Sequence, residues 1–218
     1  MSSLSSVNFI LCEVGRGFSA VIAVEKGQII DGIGCTNILG YNSIGKMDGE
    51  LVYLSKSHLT SKSSIYQGGI KDILPNIQHN ISQSPNTSEN WSDIISGHLD
   101  DSLLGKLLIE QILKAFLQLM GSFTSISFPI PVLLTGSGIS LQKLKKQLEK
   151  HGDKFPSPLF QVEILHPSAS VAKTAAQGAA FIAEGILGGE FNKTLEHMGL
   201  FSTNGTVLDD LFFPHTQI

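Results

Sequence analysis

Thr135-Gly-Ser-Gly138 follows directly on the apolar run Pro131-Val-Leu-Leu134 and leads into an amphipathic stretch that begins near Leu141. A buried strand that runs into a glycine pair and then a helix leaves backbone N–H groups unpaired. It also lets a flat or anionic ligand approach the main chain closely. The same turn occurs in α/β proteins that bind nothing there, so its meaning depends on the elements around it.

Those elements can be read from periodicity. Val7-Asn-Phe-Ile-Leu-Cys-Glu-Val14 and Phe18-Ser-Ala-Val-Ile-Ala-Val24 are β-rich runs separated by Gly15-Arg-Gly17, and Gln28-Ile-Ile-Asp-Gly-Ile33 follows the turn-like Glu25-Lys-Gly27. Three antiparallel strands are expected. Over 103–120, Leu104, Leu107, Leu108, Ile112, Phe116 and Leu119 recur at helical spacing, with Ile109 and Leu113 on the other side. This predicts a helix buried over much of its circumference behind the sheet. A strand at 131–135, a helix at 141–150 closed by Gly152, a strand at 160–165 and an alanine-rich helix at 168–187 complete the series βββ-α-β-α-β-α. In the last helix the spacing of Val171, Ala175, Ala179 and Ile182 is that of a buried face.

Composition suits a folded α/β domain: 218 residues, 42% hydrophobic and 16% charged, are enough to bury a sizeable core. The net charge of −4 argues against general affinity for nucleic acid or anionic membrane, and the lysines at 143, 145, 146 and 150 read as a solvated helix face. No run approaches the ~20 apolar residues of a membrane span, and the first residues lack a secretory pattern, so a cytoplasmic location is expected. Cys12 and Cys35 have no CxxC or histidine-rich neighbours and read as free thiols.

The interval 35–99 interrupts the regular pattern. It contains Gly40-Tyr-Asn-Ser-Ile-Gly45-Lys-Met-Asp-Gly49, a helix-prone Gly49-Glu-Leu-Val-Tyr-Leu54 and a polar tract at 79–90, followed by Trp91 in a packing role. Loops this long usually carry function or their own structure. An inserted subdomain over 36–100, within a single unit spanning 7–218, is the expected organisation.

Taken in order, Glu13-Val-Gly-Arg-Gly-Phe-Ser-Ala-Val-Ile-Ala-Val24, Asp31-Gly-Ile-Gly34, Gly45-Lys-Met-Asp-Gly-Glu-Leu-Val-Tyr-Leu54, Ala175-Ala-Gln-Gly-Ala-Ala180 and Gly205-Thr-Val-Leu-Asp209 resemble an archaeal family described as predicted butyrate kinases. The element order with an insertion after the third strand resembles the C-terminal lobe of the acetate kinase, sugar kinase, Hsp70 and actin superfamily. The fold implied is a ribonuclease H-like βββαβαβα lobe, half of an actin-like ATPase domain. The resemblance implies ATP and Mg2+ as cofactors. Glu13, where the superfamily more often has aspartate, would orient a metal-bound water, and Gly15, Gly17 and Ser19 would contact phosphate. Glycine amides at a hairpin turn can form an anion-binding concavity, and a carboxylate beside polyphosphate needs a cation. Thr135, Gly136, Ser137 and Gly138 match the adenosine motif, with the alanine-rich helix around Gly178 packed closely against the sheet to shape the pocket. An ordinary tight turn at 15–17 is the alternative.

Phosphoryl transfer to a carboxylate needs positioned metal and phosphates and a cation for transition-state charge, but no strong base. Asp31, Lys46, Asp48 and Glu50 lie in the family-like stretches and are the candidates, the first three as catalytic groups; turn or surface chemistry is their other reading. The seven histidines show no metal-ligand spacing, and only His166 stands at a cleft-facing strand end. The superfamily's first lobe has no counterpart before Val7, so the chain is expected to be a fragment, to take that N-terminal lobe from a partner chain or a homodimer, or to have given up catalysis. The functional expectation is an ATP-dependent acyl kinase acting on a small carboxylate. A non-catalytic nucleotide-binding or regulatory module and an actin-like assembly protein are the rivals, since this fold hosts all three.

Overall fold

The computed structural model describes residues 3–15, 17–40, 42–45, 49–69, 72, 103–137, 140–166 and 172–205. Five strands form one sheet: β1 (Phe9–Val14), β2 (Ser19–Glu25), β3 (Gln28–Gly34), β4 (Ile130–Thr135) and β5 (Phe160–Ile164). Their order is β3-β2-β1-β4-β5. The first three strands pair antiparallel as consecutive hairpins, whereas β4 lies parallel to both β1 and β5. Among the described residues five α-helices accompany them: α1 (Gly49–Ser55), α2 (Leu103–Met120), α3 (Leu141–Gly152), α4 (Thr174–Ile186) and α5 (Asn192–His197).

The strands form where β-branched and apolar residues alternate, and the alternation decides which face each side chain joins. Ile10, Cys12 and Val14 of β1 are buried with Val21 and Ala23 of β2, Val132 and Leu134 of β4, and Val162 of β5. Against this face pack Ile109, Ile112, Phe116 and Leu119 of α2 and Leu144 and Leu148 of α3, all in one cluster. Phe116 meets Phe160 edge-to-face at 5.6 Å. Each such side chain, fully removed from water, contributes about 1.5–3 kcal/mol. The buried stripe of α2 is narrower than its composition predicts: Leu113 is only partly buried, Leu117 is 45% exposed, and Glu110 pairs with Lys114 on the solvent side.

Beyond Ala23 the register shifts, because Ile30 of β3 has no partner between the pairs Ala23↔Asp31 and Val24↔Ile29. Such a bulge re-aims the strand end. Glu25, in phase with Ser19, Val21 and Ala23 of β2, is buried, and its carboxylate accepts hydrogen bonds from the Thr124 N–H (3.2 Å) and Oγ1 (2.8 Å) and from the Ser125 N–H (2.8 Å). The Ser125 amide and the Thr124 hydroxyl lower its pKa below the ordinary carboxylate value. This clamp ties the connection after α2 to the sheet. Cys12 belongs to the core, where burial, aided by the neighbouring Glu13 charge, pushes its thiol up to about 12.

The alanine-rich helix departs from expectation. It begins at Thr174, the 168–171 part of the expected helix lying outside the described residues, and Ala175, Ala179 and Ile182 are exposed. A Cβ added at Gly178 would meet nothing within 4 Å, so this glycine does not mark close helix–sheet contact. What anchors the segment is its far end. Glu184 accepts from the Glu190 and Phe191 amides at 2.6 and 3.0 Å, and Phe181 stacks on Phe191. His197 Nε2 donates to the Lys26 carbonyl at 2.6 Å, which docks α5 on the β2–β3 turn. Among the described residues no helix is long and apolar enough to cross a membrane.

Candidate functional site

β1 and β4 are parallel neighbours, with Cys12 opposite Leu134 and Glu13 opposite Thr135. From here the chain leaves β1 towards β2 on one side and β4 towards β5 on the other. Ligands of open α/β sheets settle at such a switch point, outside the carboxyl ends of the strands. A cleft of about 420 Å³ opens there. Leu11 and Glu13 contribute from β1, Thr135, Gly136 and Ser137 from the end of β4, Leu165 from the end of β5, and Lys173, Thr174, Ala175 and Gly178 from the start of α4. Leu11 and Glu13 share this face because both are out of phase with the core residues Ile10, Cys12 and Val14.

Gly136 sets the floor of the cleft. Its φ is +119°, and a Cβ there would stand 2.2 Å from the Val14 carbonyl oxygen and 2.8 Å from the Val14 nitrogen. Backbone therefore crosses directly over the end of β1, in a conformation and at a distance that only glycine permits. A substitution at Gly136 strikes protein backbone before it meets any ligand, so fold and binding cannot be separated at this position.

The hairpin between β1 and β2 is committed to its own closure. The Gly15 N–H donates to the Phe18 carbonyl at 3.0 Å, and the Gly17 carbonyl accepts from the amides of Asn42 and Ser43 at 3.3 and 3.1 Å. Phe18 packs edge-on against Tyr66, 4.9 Å between ring centroids, which braces the turn from the segment that follows β3.

The structure thus brings Glu13 together with Thr135, Gly136 and Ser137. Gly15 and Gly17 lie beside the cleft without lining it, and the Gly15 amide is occupied. Ser19 falls in phase with Val21 and Ala23; its side chain is buried on the core side, and its hydroxyl has no hydrogen-bond partner among the described residues. Asp31 sits on β3, two strands from β1, accepting from its neighbour's Gly32 N–H at 2.7 Å and from the Ser122 hydroxyl. His166 and Glu50 are exposed and outside the cleft lining. Lys46, Asp48, Gly138 and Arg16 lie outside the described residues, as do most of 70–102, including Trp91, and Thr206 onward.

Sequence reasoning missed Lys173. The signal was the true start of α4: a helix beginning at Thr174 puts Lys173 at the cleft mouth, whereas a start at 168 hides it within the helix. Among the described residues no group of three or more His, Cys, Asp or Glu is arranged to hold a metal ion. The residues present nonetheless fit a hydrated hard cation. Glu13 is an exposed carboxylate, and Thr135 and Ser137 bring hydroxyl oxygens to the same cleft. Mg2+ typically takes one or two carboxylates and keeps several waters.

Several solved structures match the chain at low identity. The acetate kinase from Entamoeba histolytica matches 84% of this chain at 14% identity and a TM-score of 0.50. The acetate kinase from Porphyromonas gingivalis matches 74% at 13% identity and a TM-score of 0.45. The ethanolamine utilization protein EutJ from Carboxydothermus hydrogenoformans matches 74% at 12% identity and a TM-score of 0.29. The chain spans about half the length of each of them, 53%, 46% and 47% respectively. At this identity the likeness to the first of them speaks to the fold alone, a mixed α/β unit. No curated protein sequence matches the chain. Residues 1–212 match the family described as "Protein of unknown function (DUF1464)", and the chain belongs to that family.

Proposed function

We propose that the cleft binds ATP with Mg2+ and that the protein is an ATP-dependent phosphotransferase of the acyl kinase type. Its acceptor would be a small carboxylate such as acetate or butyrate. One observation carries the reading: Glu13 and Thr135–Ser137, far apart in sequence, meet at the carboxyl ends of adjacent parallel strands. In this reading the ribonuclease H-like lobe supplies one wall, and a further lobe supplies the other, in cis, from a partner chain or from a second copy. The sheet order and its likeness to half of an acetate kinase support that arrangement.

Each group has a task that its chemistry allows. Gly136 offers bare backbone for the flat part of the nucleotide. Glu13 would help to hold the metal, and the Thr135 and Ser137 hydroxyls supply polar contacts at the same end. The metal, when bound, neutralises charge on the phosphates. The acceptor carboxylate is already ionised, so no general base is needed, and positioning with electrostatic stabilisation dominates. Closure by the second wall excludes water and strengthens each of these interactions.

The test is calorimetric titration with ATP and Mg2+, followed by a hydroxamate trap for acyl phosphate with acetate or butyrate. Binding at millimolar nucleotide or tighter is expected, and Glu13→Gln should weaken it more in the presence of Mg2+ than in its absence. Turnover is expected only with a closed two-walled site. Absence of any nucleotide binding would overturn the reading, and binding without turnover in the two-walled assembly would leave a nucleotide-binding module in its place.

A further inference from the structure

Lys173 lines the cleft from the extended residue immediately preceding α4, and among the described residues its ammonium has neither an ion pair nor a hydrogen bond. Two other lysines are held by partners. Lys114 pairs with Glu110, and Lys145 pairs with Glu149 while also donating to the Val162 carbonyl. Among the described residues of the cleft lining the one carboxylate, Glu13, comes from β1, and no salt bridge joins it to Lys173. The described lining therefore carries one negative and one positive group, separately presented. Leu11, Leu165, Ala175 and Gly178 make up much of the remaining lining, and they are apolar.

We propose that Lys173 is the specificity-determining residue that reads the phosphate chain of the ligand, its ammonium contacting phosphate oxygens of a nucleoside polyphosphate seated in the cleft. This deepens the nucleotide reading and rests on it. Three features lead to it. A polyanion placed beside Glu13 is repelled unless positive charge stands nearby, and among the described residues of the cleft lining Lys173 is the one cationic side chain. The hairpin amide at Gly15, which would otherwise donate to phosphate, is occupied by Phe18. A cleft with apolar walls and a few polar groups is the usual form of a small-molecule site, and lysine, a mobile point charge with three donors, suits phosphate without demanding a fixed fork geometry. The consequence is selectivity: the cation discriminates nucleotide from nucleoside and contributes little to the base and sugar.

The experiment compares the wild type with Lys173→Met, which keeps the apolar stem, and Lys173→Arg, which keeps the charge. Each is titrated calorimetrically with ATP–Mg2+, adenosine and inorganic tripolyphosphate. Because Lys173 is exposed, neither change threatens the fold. K173M should weaken ATP by about tenfold to a hundredfold, the range for losing a charged hydrogen bond. Adenosine affinity should be unchanged, and K173R should retain most of the ATP affinity. The proposal is overturned if K173M binds ATP like the wild type, or if ATP and adenosine weaken together, which would show that the residue only shapes the cleft. A wild type that binds tripolyphosphate but not adenosine, with K173M losing the tripolyphosphate, supports the phosphate role of Lys173 and removes the nucleoside from the proposed function. A wild type that binds none of the three overturns both.

Discussion

The two faces of the sheet are built to different rules. On one, α2 and α3 press against Ile10, Cys12, Val132, Leu134 and Val162, all at zero exposure, and their side chains interlock. On the other, Leu11 and Glu13 look into a cleft, and α4 stands over it with Phe181, Ile182 and Ile186 39–57% exposed. The first face secures the sheet, and the second can then leave space where the strands end. A strand with Cys12 on one side and Glu13 on the other serves both, since its period of two separates packing from chemistry residue by residue.

The largest expected effect tests this division directly. Phe116→Ala removes a fully buried ring from the core face and should destabilise the protein by about 3–5 kcal/mol. Ile182→Ala, on α4, deletes apolar atoms that are already 41% exposed and should change stability by no more than about 0.5 kcal/mol. Chemical denaturation of both variants measures the contrast. Equal losses would mean that α4 is covered by protein and that the second face is as tightly built as the first.

Two carboxylates extend the comparison. Glu13 is exposed in the cleft, whereas Glu25 is buried and bound to the 124–125 turn. Hydrogen bonds lower the Glu25 pKa in the folded protein. Such a group contributes stability above the unfolded carboxylate value of about 4.3, and that contribution disappears as pH falls through the still lower folded value. Glu25→Gln should therefore lower the thermal midpoint near neutrality by less than Phe116→Ala does. The gap between variant and wild type should narrow as the pH drops below about 4. Thermal melts over a pH series follow it, and a gap that is constant with pH would show that the carboxylate charge is not what holds the loop.

Much of this architecture is legible from residue patterns, and the misses have physical causes. β1 to β5 follow from alternation, and α2 from apolar spacing at i, i+3 and i+4; its bounds are as expected because its packing face and its propensity agree. The alanine-rich helix misleads because alanine favours helix whether buried or exposed, so its sequence says helix without saying what covers it. Ser19 could have been placed correctly: it is in phase with Val21 and Ala23, and strand parity assigns it to the core side. Strand parity puts Glu25 on the core side with Ser19, but its clamp joins groups about a hundred positions apart, which local pattern does not reveal. In the cleft, Glu13 and Thr135–Ser137 announce themselves through glycine-bounded strand ends. Lys173 does not, because its role depends on where α4 begins.

The smallest expected effect concerns Gly178, which lies in the interior of α4 and also lines the cleft. Glycine at an interior helix position costs about 0.5–1 kcal/mol relative to alanine. A Cβ here meets nothing within 4 Å, so no clash opposes the gain. Gly178→Ala should therefore stabilise the protein by up to about 1 kcal/mol, mainly by restricting the unfolded chain. The added methyl would nevertheless enter the space available to a ligand. If the cleft is a nucleotide site that fits its ligand closely on this wall, the variant should be more stable yet bind ATP more weakly. Denaturation and calorimetry on the same preparation read both quantities. A loss of stability would place α4 tightly against the sheet, contrary to the open packing on this face, while a gain in stability with unchanged affinity would move the ligand away from the α4 wall and towards Glu13 and Gly136.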